Sequence, residues 1–240
     1  MGMHEDEEGI LSRLRGDPQY AELFAAAFPG DAAIDRTHIV RAISSFVRTL
    51  VSFDAPFDRS LAGDRTAMSD AAQRGFTLFR SSRLKCGRCH DGFNFRRTPD
   101  HRTSDDDDSV AYHNTGLYNL ADGSYPASDR GLIDITGNAA DMGRFKAPTL
   151  RNGAVTAPYM HDGSIATLED VVDHYAAGGR TIAAGPDAGI GRNSPYKSEH
   201  VSGFDLTPDE RRDIVEFLKS LTDERFLTNP SFASPFQPGR

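Results

Sequence analysis

The chain has 240 residues, 38% hydrophobic and 26% charged, which is long enough to bury a core of its own and allows one or two domains. A formal net charge of −8 argues against nucleic acid as a partner, since phosphate binding draws on clustered Lys and Arg. No apolar run approaches the roughly 20 residues that a membrane-spanning helix needs.

The first part of the chain is predicted to be helical. "HEDEEGILSRLRG" carries acids in its first turn and arginines near its end, and stops at Gly16. Asp17 then caps a second helix with Pro18 at its first position, running through "QYAELFAAAF" to the break at Pro29 and Gly30. A third helix starts at Thr37. Its apolar residues Ile39, Val40, Ile43, Phe46, Val47, Leu50 and Val51 recur at helical spacing, so one face is expected to be buried. "FDAPFDRSLAGDRTAM" reads as a linker, after which Ser69 caps the helix "DAAQRGFTLFR".

That helix leads into "RLKCGRCHDGFNF", which holds the chain's two cysteines, Cys86 and Cys89, with His90 directly after the second. A disulfide is little needed at this length. A tetrahedral zinc site lacks a second Cys/His pair at ligand spacing. A thioredoxin-like motif lacks its strand–helix alternation. The remaining chemistry is covalent haem c, with thioethers from Cys86 and Cys89 and His90 as proximal iron ligand.

From Asp91 to about Thr167 the sequence is dense in Gly, Pro, Asn and Asp and weak in any period. A haem plate would supply the core such loops cannot make, and accounts for Phe93, Phe95, Tyr112, Tyr118, Phe145 and Tyr159 scattered among them. The acid run Ser104 to Asp108 reads as a solvated loop. Candidates for a sixth iron ligand are Met142, Met160, His113, His161, His174 and Tyr175. In "TLEDVVDHYAAGG", Leu168, Val171, Val172 and Tyr175 share one helical face, which favours Tyr175 over His174; His174 is expected to face away from the buried stripe. A last helix, "LTPDERRDIVEFLKSLT", has Thr207 as N-cap, Pro208 at its first position and Glu210 completing a capping box. Its apolar face of Ile214, Phe217, Leu218 and Leu221 is expected to pack against the helix before the haem motif.

"CGRCHDGFNF", "HNTGLYNL", "DRGLIDITGNAADMGRFKAPTLRNGAVTAPYMHDGSIATLEDVVDHYAAGG" and "NSPYKSEHVSGFDLTPDERRDIVEFLKSL" together resemble the bacterial di-haem cytochrome c peroxidase/MauG superfamily, most closely its MbnH-like branch. The resemblance implies a mainly α fold: a cytochrome c-like haem domain with long haem-wrapping loops over residues 67–225, a tail over 226–240, and before them a helical remnant of a first cytochrome c-like domain over 1–66. Members carry a first, high-spin haem where peroxide reacts and a second, six-coordinate haem, at which this CxxCH falls. The distal ligand implied for that haem is Tyr175. Arg151 and His161 are implied near the haem, where a propionate salt bridge or a structural hydrogen bond is the plainer role for each. The resemblance further implies a calcium ion bound by the backbone carbonyls of Thr156 and Pro158.

The function implied is oxidation of a protein or small redox donor with hydrogen peroxide, this chain holding the electron-transfer haem; an electron-donor protein is a further expected partner. The other reading is a mono-haem c electron-transfer protein without peroxidase activity. Thioether attachment points to the periplasm, although "MGMHEDEEGI" is acidic where a signal peptide would be basic and apolar. The expectation is therefore a chain begun at an internal Met, or a natural fragment.

Overall fold

The computed structural model describes residues 6–31, 33–96 and 112–234; the acid run at 104–108 lies outside them. The architecture is mainly helical, and the chain divides into two compact units, Met1–Val51 with Asn229–Arg240, and Ser52–Thr228.

In the first unit α1 (Glu7–Gly16) and α2 (Pro18–Ala27) form a hairpin. The Asp17 side chain accepts from the Gln19 amide at the start of α2, so the cap lies where local sequence places it. α3 (Arg36–Thr49) is capped by Asp35, which accepts from the His38 amide at 2.8 Å. Leu11, Phe24, Ile34 and Ile39 make the core of this unit. The buried face expected of α3 is a correction: Ile39 is buried, but Val40, Ile43, Phe46, Val47, Leu50 and Val51 are 37–56% exposed. The small core reaches only the first turns of α3, and periodicity alone does not supply a partner for the rest.

The second unit begins at Ser52, just before the supposed linker, and the linker reading is also corrected. α4 (Pro56–Leu61) forms there and sends Phe57 into the core. α5 (Asp70–Phe79) follows, its Ser69 cap accepting from Ala72 at 3.1 Å. The loops between contain β1 (Tyr112–His113), the single-turn α6 (Ile133–Thr136) and β2 (Phe145–Lys146), with β1 and β2 antiparallel so that His113 faces Phe145 across the ladder. α7 (Leu168–Ala176) is capped by Thr167, and β3 (Thr181–Ile182) pairs antiparallel with β4 (Gly189–Ile190). α8 (Pro208–Lys219) carries the expected capping box, Thr207 accepting from Glu210 N and Glu210 from Thr207 N; α9 (Glu224–Leu227) ends the unit.

α5 and α8 pack directly, as their apolar faces predict, and the contact is close at Gly75: an added Cβ there would stand 1.9 Å from the Asp213 carbonyl oxygen. Arg74 grips Asp213 beside it through two hydrogen bonds of 2.8 and 2.7 Å. Around the crossing, Phe57, Phe76, Phe79, Phe95 and Phe217 form a cluster of edge-on and tilted rings with centroids 5.0–6.2 Å apart. Burying a phenylalanine contributes about 1.5–3 kcal/mol, so this cluster is a large share of the unit's apolar drive. Leu84, Val172, Ile214 and Val215 form a second cluster that ties α7 to α8. Cys86 packs against both, so the sulfur-bearing turn is seated on the two cores.

Candidate haem site

Cys86, Gly87 and Arg88 form one 3-10 turn, entered through Lys85 in the left-handed region. The amides of Cys89 and His90 donate to the Cys86 carbonyl at 3.2 and 2.9 Å, which brings both sulfurs and the imidazole onto one tight loop. Both cysteines are thiols rather than halves of a disulfide. Burial pushes the Cys86 thiol up to about 12, so it carries no thiolate at neutral pH.

His90 Nδ1 lies 3.0 Å from the Phe95 carbonyl oxygen. Phe95 has a φ of +47°, a conformation a phenylalanine rarely adopts, and its ring is meanwhile sunk in the aromatic core. Burial lowers the His90 imidazole's affinity for a proton, so the ring is neutral. With Nδ1–H donated to the carbonyl, Nε2 keeps its lone pair for a ligand; a carbonyl that accepts from the other ring nitrogen is what orients metal-bound histidines.

Tyr175 approaches from α7. Burial raises its hydroxyl well above the usual tyrosine range, with smaller contributions from the Cys89 and Cys86 thiols. No hydrogen bond to its hydroxyl is found among the described residues. Tyr175 is half-buried as a residue, and its hydroxyl is not one of the buried polar atoms left without a partner, so it is within reach of solvent or of a ligand. The thiols, the Nε2 lone pair and this hydroxyl are the donor set that a thioether-linked, His/Tyr-ligated haem requires, so the residues present fit that group.

His174 is a correction: it does not face away from the interior but is buried, its Nε2 3.0 Å from the Thr115 carbonyl oxygen, while Nδ1 has no partner among the described residues. α7 is covered on a second side by the 114–117 loop, which periodicity along one helix does not reveal. Arg151 is buried, with Nη1 and Nη2 on the two carboxylate oxygens of Asp58 at 2.8 and 2.9 Å, Nε on the Phe93 carbonyl at 2.9 Å, and its guanidinium 4.3 Å over the Phe93 ring. Its donors are engaged by protein, the arrangement of a structural hydrogen-bonding role. His161 is exposed and stacks on Phe145 at 3.6 Å in an aromatic group with Tyr118 and Tyr125. Met142 and Met160 are half-buried loop residues.

Thr156 and Pro158 are exposed in the turn after residues 153–155. Calcium takes six to eight oxygen ligands, and no cluster of three His, Cys, Asp or Glu side chains is found among the described residues, so two carbonyls here would supply a minority of its shell. Sequence reasoning missed Asp58 and the Phe95 carbonyl; neither belongs to a motif, and Asp58 is 93 positions from its partner Arg151.

The family model for di-haem cytochrome c peroxidase matches residues 1–66. The chain is 36% identical over 90% of its length to the methylamine utilization protein MauG of Methylorubrum extorquens, and 35% identical over 97% to the cytochrome-c peroxidase IdrP1 of Denitromonas iodatirespirans. A solved structure of a MauG-like protein associated with microbial copper homeostasis matches 97% of the chain with 45% identity and a TM-score of 0.88. The chain spans 52%, 62% and 66% of the lengths of these three proteins.

Proposed function

Because this chain belongs to the di-haem cytochrome c peroxidase and MauG superfamily, we propose that it is the part of such an oxidoreductase that holds the six-coordinate, electron-transferring haem c. Cys86 and Cys89 would attach the haem, and His90 and Tyr175 would ligate its iron. The observation that carries this reading is the Nδ1–carbonyl contact of His90, which leaves Nε2 as the atom that would ligate iron, with the half-buried Tyr175 of α7 as the second candidate ligand. The bound haem would supply one-electron redox chemistry. An anionic phenolate oxygen favours the higher oxidation states of iron, so this ligand pair suits storing oxidising equivalents better than carrying electrons at high potential.

Hydrogen peroxide is the oxidant in this reading, and the electrons come from a protein or a small redox donor. The relatives named cytochrome-c peroxidase support the peroxide reading, and a protein substrate and the resemblance to MbnH-like members belong to the same proposal. The surroundings hold the machinery rather than react: Arg151 with Asp58 pins the segment after β2 to α4, and the phenylalanine cluster keeps water from the sulfur side. A periplasmic location follows from the attachment chemistry; no helix among the described residues is long and apolar enough to cross a membrane.

The test is the mass of the protein expressed with a signal peptide and the haem-attachment machinery. One covalent haem is expected, lost in the Cys86→Ala/Cys89→Ala double variant. A wild-type chain carrying no added haem mass under those conditions sinks the reading.

A further inference from the structure

One group of side chains stands outside this account. The Tyr118 hydroxyl donates to Asp162 Oδ2 at 2.5 Å, and the Arg180 guanidinium lies 4.6 Å over the Tyr118 ring. Arg180 is itself anchored, Nη1 donating to Ser164 Oγ at 2.7 Å and Nε to the Leu117 carbonyl at 3.3 Å. Asp162 is fixed from its other oxygen, which accepts from the Ser164 amide at 3.0 Å. Burial, followed by the bond to Asp162, raises the Tyr118 hydroxyl above its ordinary value; at Asp162 the opposing effect of burial is outweighed by the hydrogen bonds from Tyr118 and Ser164, and the carboxyl stays below its own. The bond therefore runs from a neutral phenol to an ionised carboxylate, the short, charge-assisted kind.

Tyr118 also belongs to a cluster of rings, with its centroid 6.5 Å from that of His161. Its centroid is 5.4 Å from that of Tyr125, edge to face, and Tyr125 is 6.2 Å from both Phe145 and His161, which stack on each other at 3.6 Å. Phe145 is the ladder partner of His113. Tyr125 is buried, and its hydroxyl has no hydrogen bond among the described residues, whereas Tyr118 is half-exposed and has a base in contact.

The geometry points to Tyr118 as a redox-active tyrosine that passes oxidising equivalents from the haem to the surface, with Asp162 as its proton acceptor. The role rests on the haem reading above for its oxidant, a one-electron acceptor at the haem. One electron leaves the phenol and reduces that acceptor. The O–H bond breaks, its proton crosses the existing hydrogen bond to Asp162 Oδ2 to give the carboxylic acid, and a neutral phenoxyl radical remains. An electron from an external donor then restores the phenol as the proton returns. The Arg180 cation disfavours positive charge on the ring, so oxidation without proton loss is closed off and the carboxylate becomes necessary. Tyr125 and Tyr175 lack such an acceptor, which singles out Tyr118.

The test oxidises the full chain with photogenerated ruthenium(III) tris-bipyridine and follows the phenoxyl radical by electron paramagnetic resonance, with circular dichroism to confirm folding. Tyr118→Phe is expected to remove most of the signal and Tyr125→Phe to leave it. Asp162→Asn keeps the phenol but removes the base, and should slow radical formation by at least about tenfold, as loss of a positioned base does. Wild-type yield and rate in both folded Tyr118→Phe and Asp162→Asn overturn the proposal. Since the oxidant is external, a chain that shows the Tyr118 signal yet takes up no haem upholds the Tyr118–Asp162 pair while the haem reading fails.

Discussion

Gly75 of α5 lies against the backbone of Asp213 in α8 with no room for a methyl group between them: a Cβ would come within 1.9 Å of the carbonyl oxygen and 2.9 Å of the Phe217 Cβ. Gly75→Ala gains about 1 kcal/mol of helix propensity. It also forces apart two helices whose crossing carries the phenylalanine cluster, an overpacking that costs about 1–3 kcal/mol or more. A net loss of stability is expected, seen as a lower urea midpoint at unchanged slope; equal or higher stability would mean that the helices part freely.

Arg151 and Asp58 form a pair whose side chains are only 5% and 13% exposed. Asp58→Ala leaves a buried guanidinium with its two Nη contacts gone, and is expected to cost about 3–5 kcal/mol. The Asp58→Ala/Arg151→Met double variant removes the stranded charge and should recover a good part of the loss. A double-mutant cycle by chemical denaturation measures this, and simple additivity would show that the two side chains do not depend on each other.

His174 is buried and, first through that burial, its imidazole is lowered to about 4, while in the unfolded chain it titrates at its ordinary 6.5. Between these values the unfolded state binds the proton and the folded state does not, so stability falls as the pH drops through the window from 6.5 to 4. The full effect is on the order of 3 kcal/mol. His174→Gln keeps a polar group near Thr115 and should flatten the pH dependence of the melting temperature between pH 4 and 7. An unchanged slope in that variant would assign the dependence to other groups.

Tyr175→Phe removes the hydroxyl and keeps the ring in place. Iron binding must overcome the burial that holds this phenol protonated, as a bound cation does for an oxygen ligand. In the haem-loaded protein the ferric spectrum is expected to turn high-spin, or to show a substitute ligand, and the reduction potential to rise because an anionic donor is gone. Met160→Leu serves as the control and should leave the spectrum alone. The opposite pattern, loss with Met160→Leu and none with Tyr175→Phe, would give the iron a methionine ligand.

The features legible in the sequence are those whose physics is local. Asp17, Ser69 and Thr207 cap their helices because an N-cap needs only the amides two or three positions on, so the residue type at one position decides it. The turn at Cys86–His90 is of the same kind, closed by bonds within five residues. The facing of α5 and α8 was readable because each helix has a dense apolar stripe. What tertiary structure alone decided is which faces find partners. The stripe on α3 looks as buried as that on α8, yet most of it is exposed. His174 stands off the apolar stripe of α7 and is nevertheless covered, by a loop some 60 positions earlier in the chain, just as Phe57 is drawn into the core from a segment rich in turn residues. Arg151 with Asp58, and Tyr118 with Asp162, meet across 93 and 44 positions. A cap is fixed by the geometry of one turn of backbone, whereas a charge pair or a buried face depends on where distant segments come to rest, and no spacing along a single chain encodes that distance.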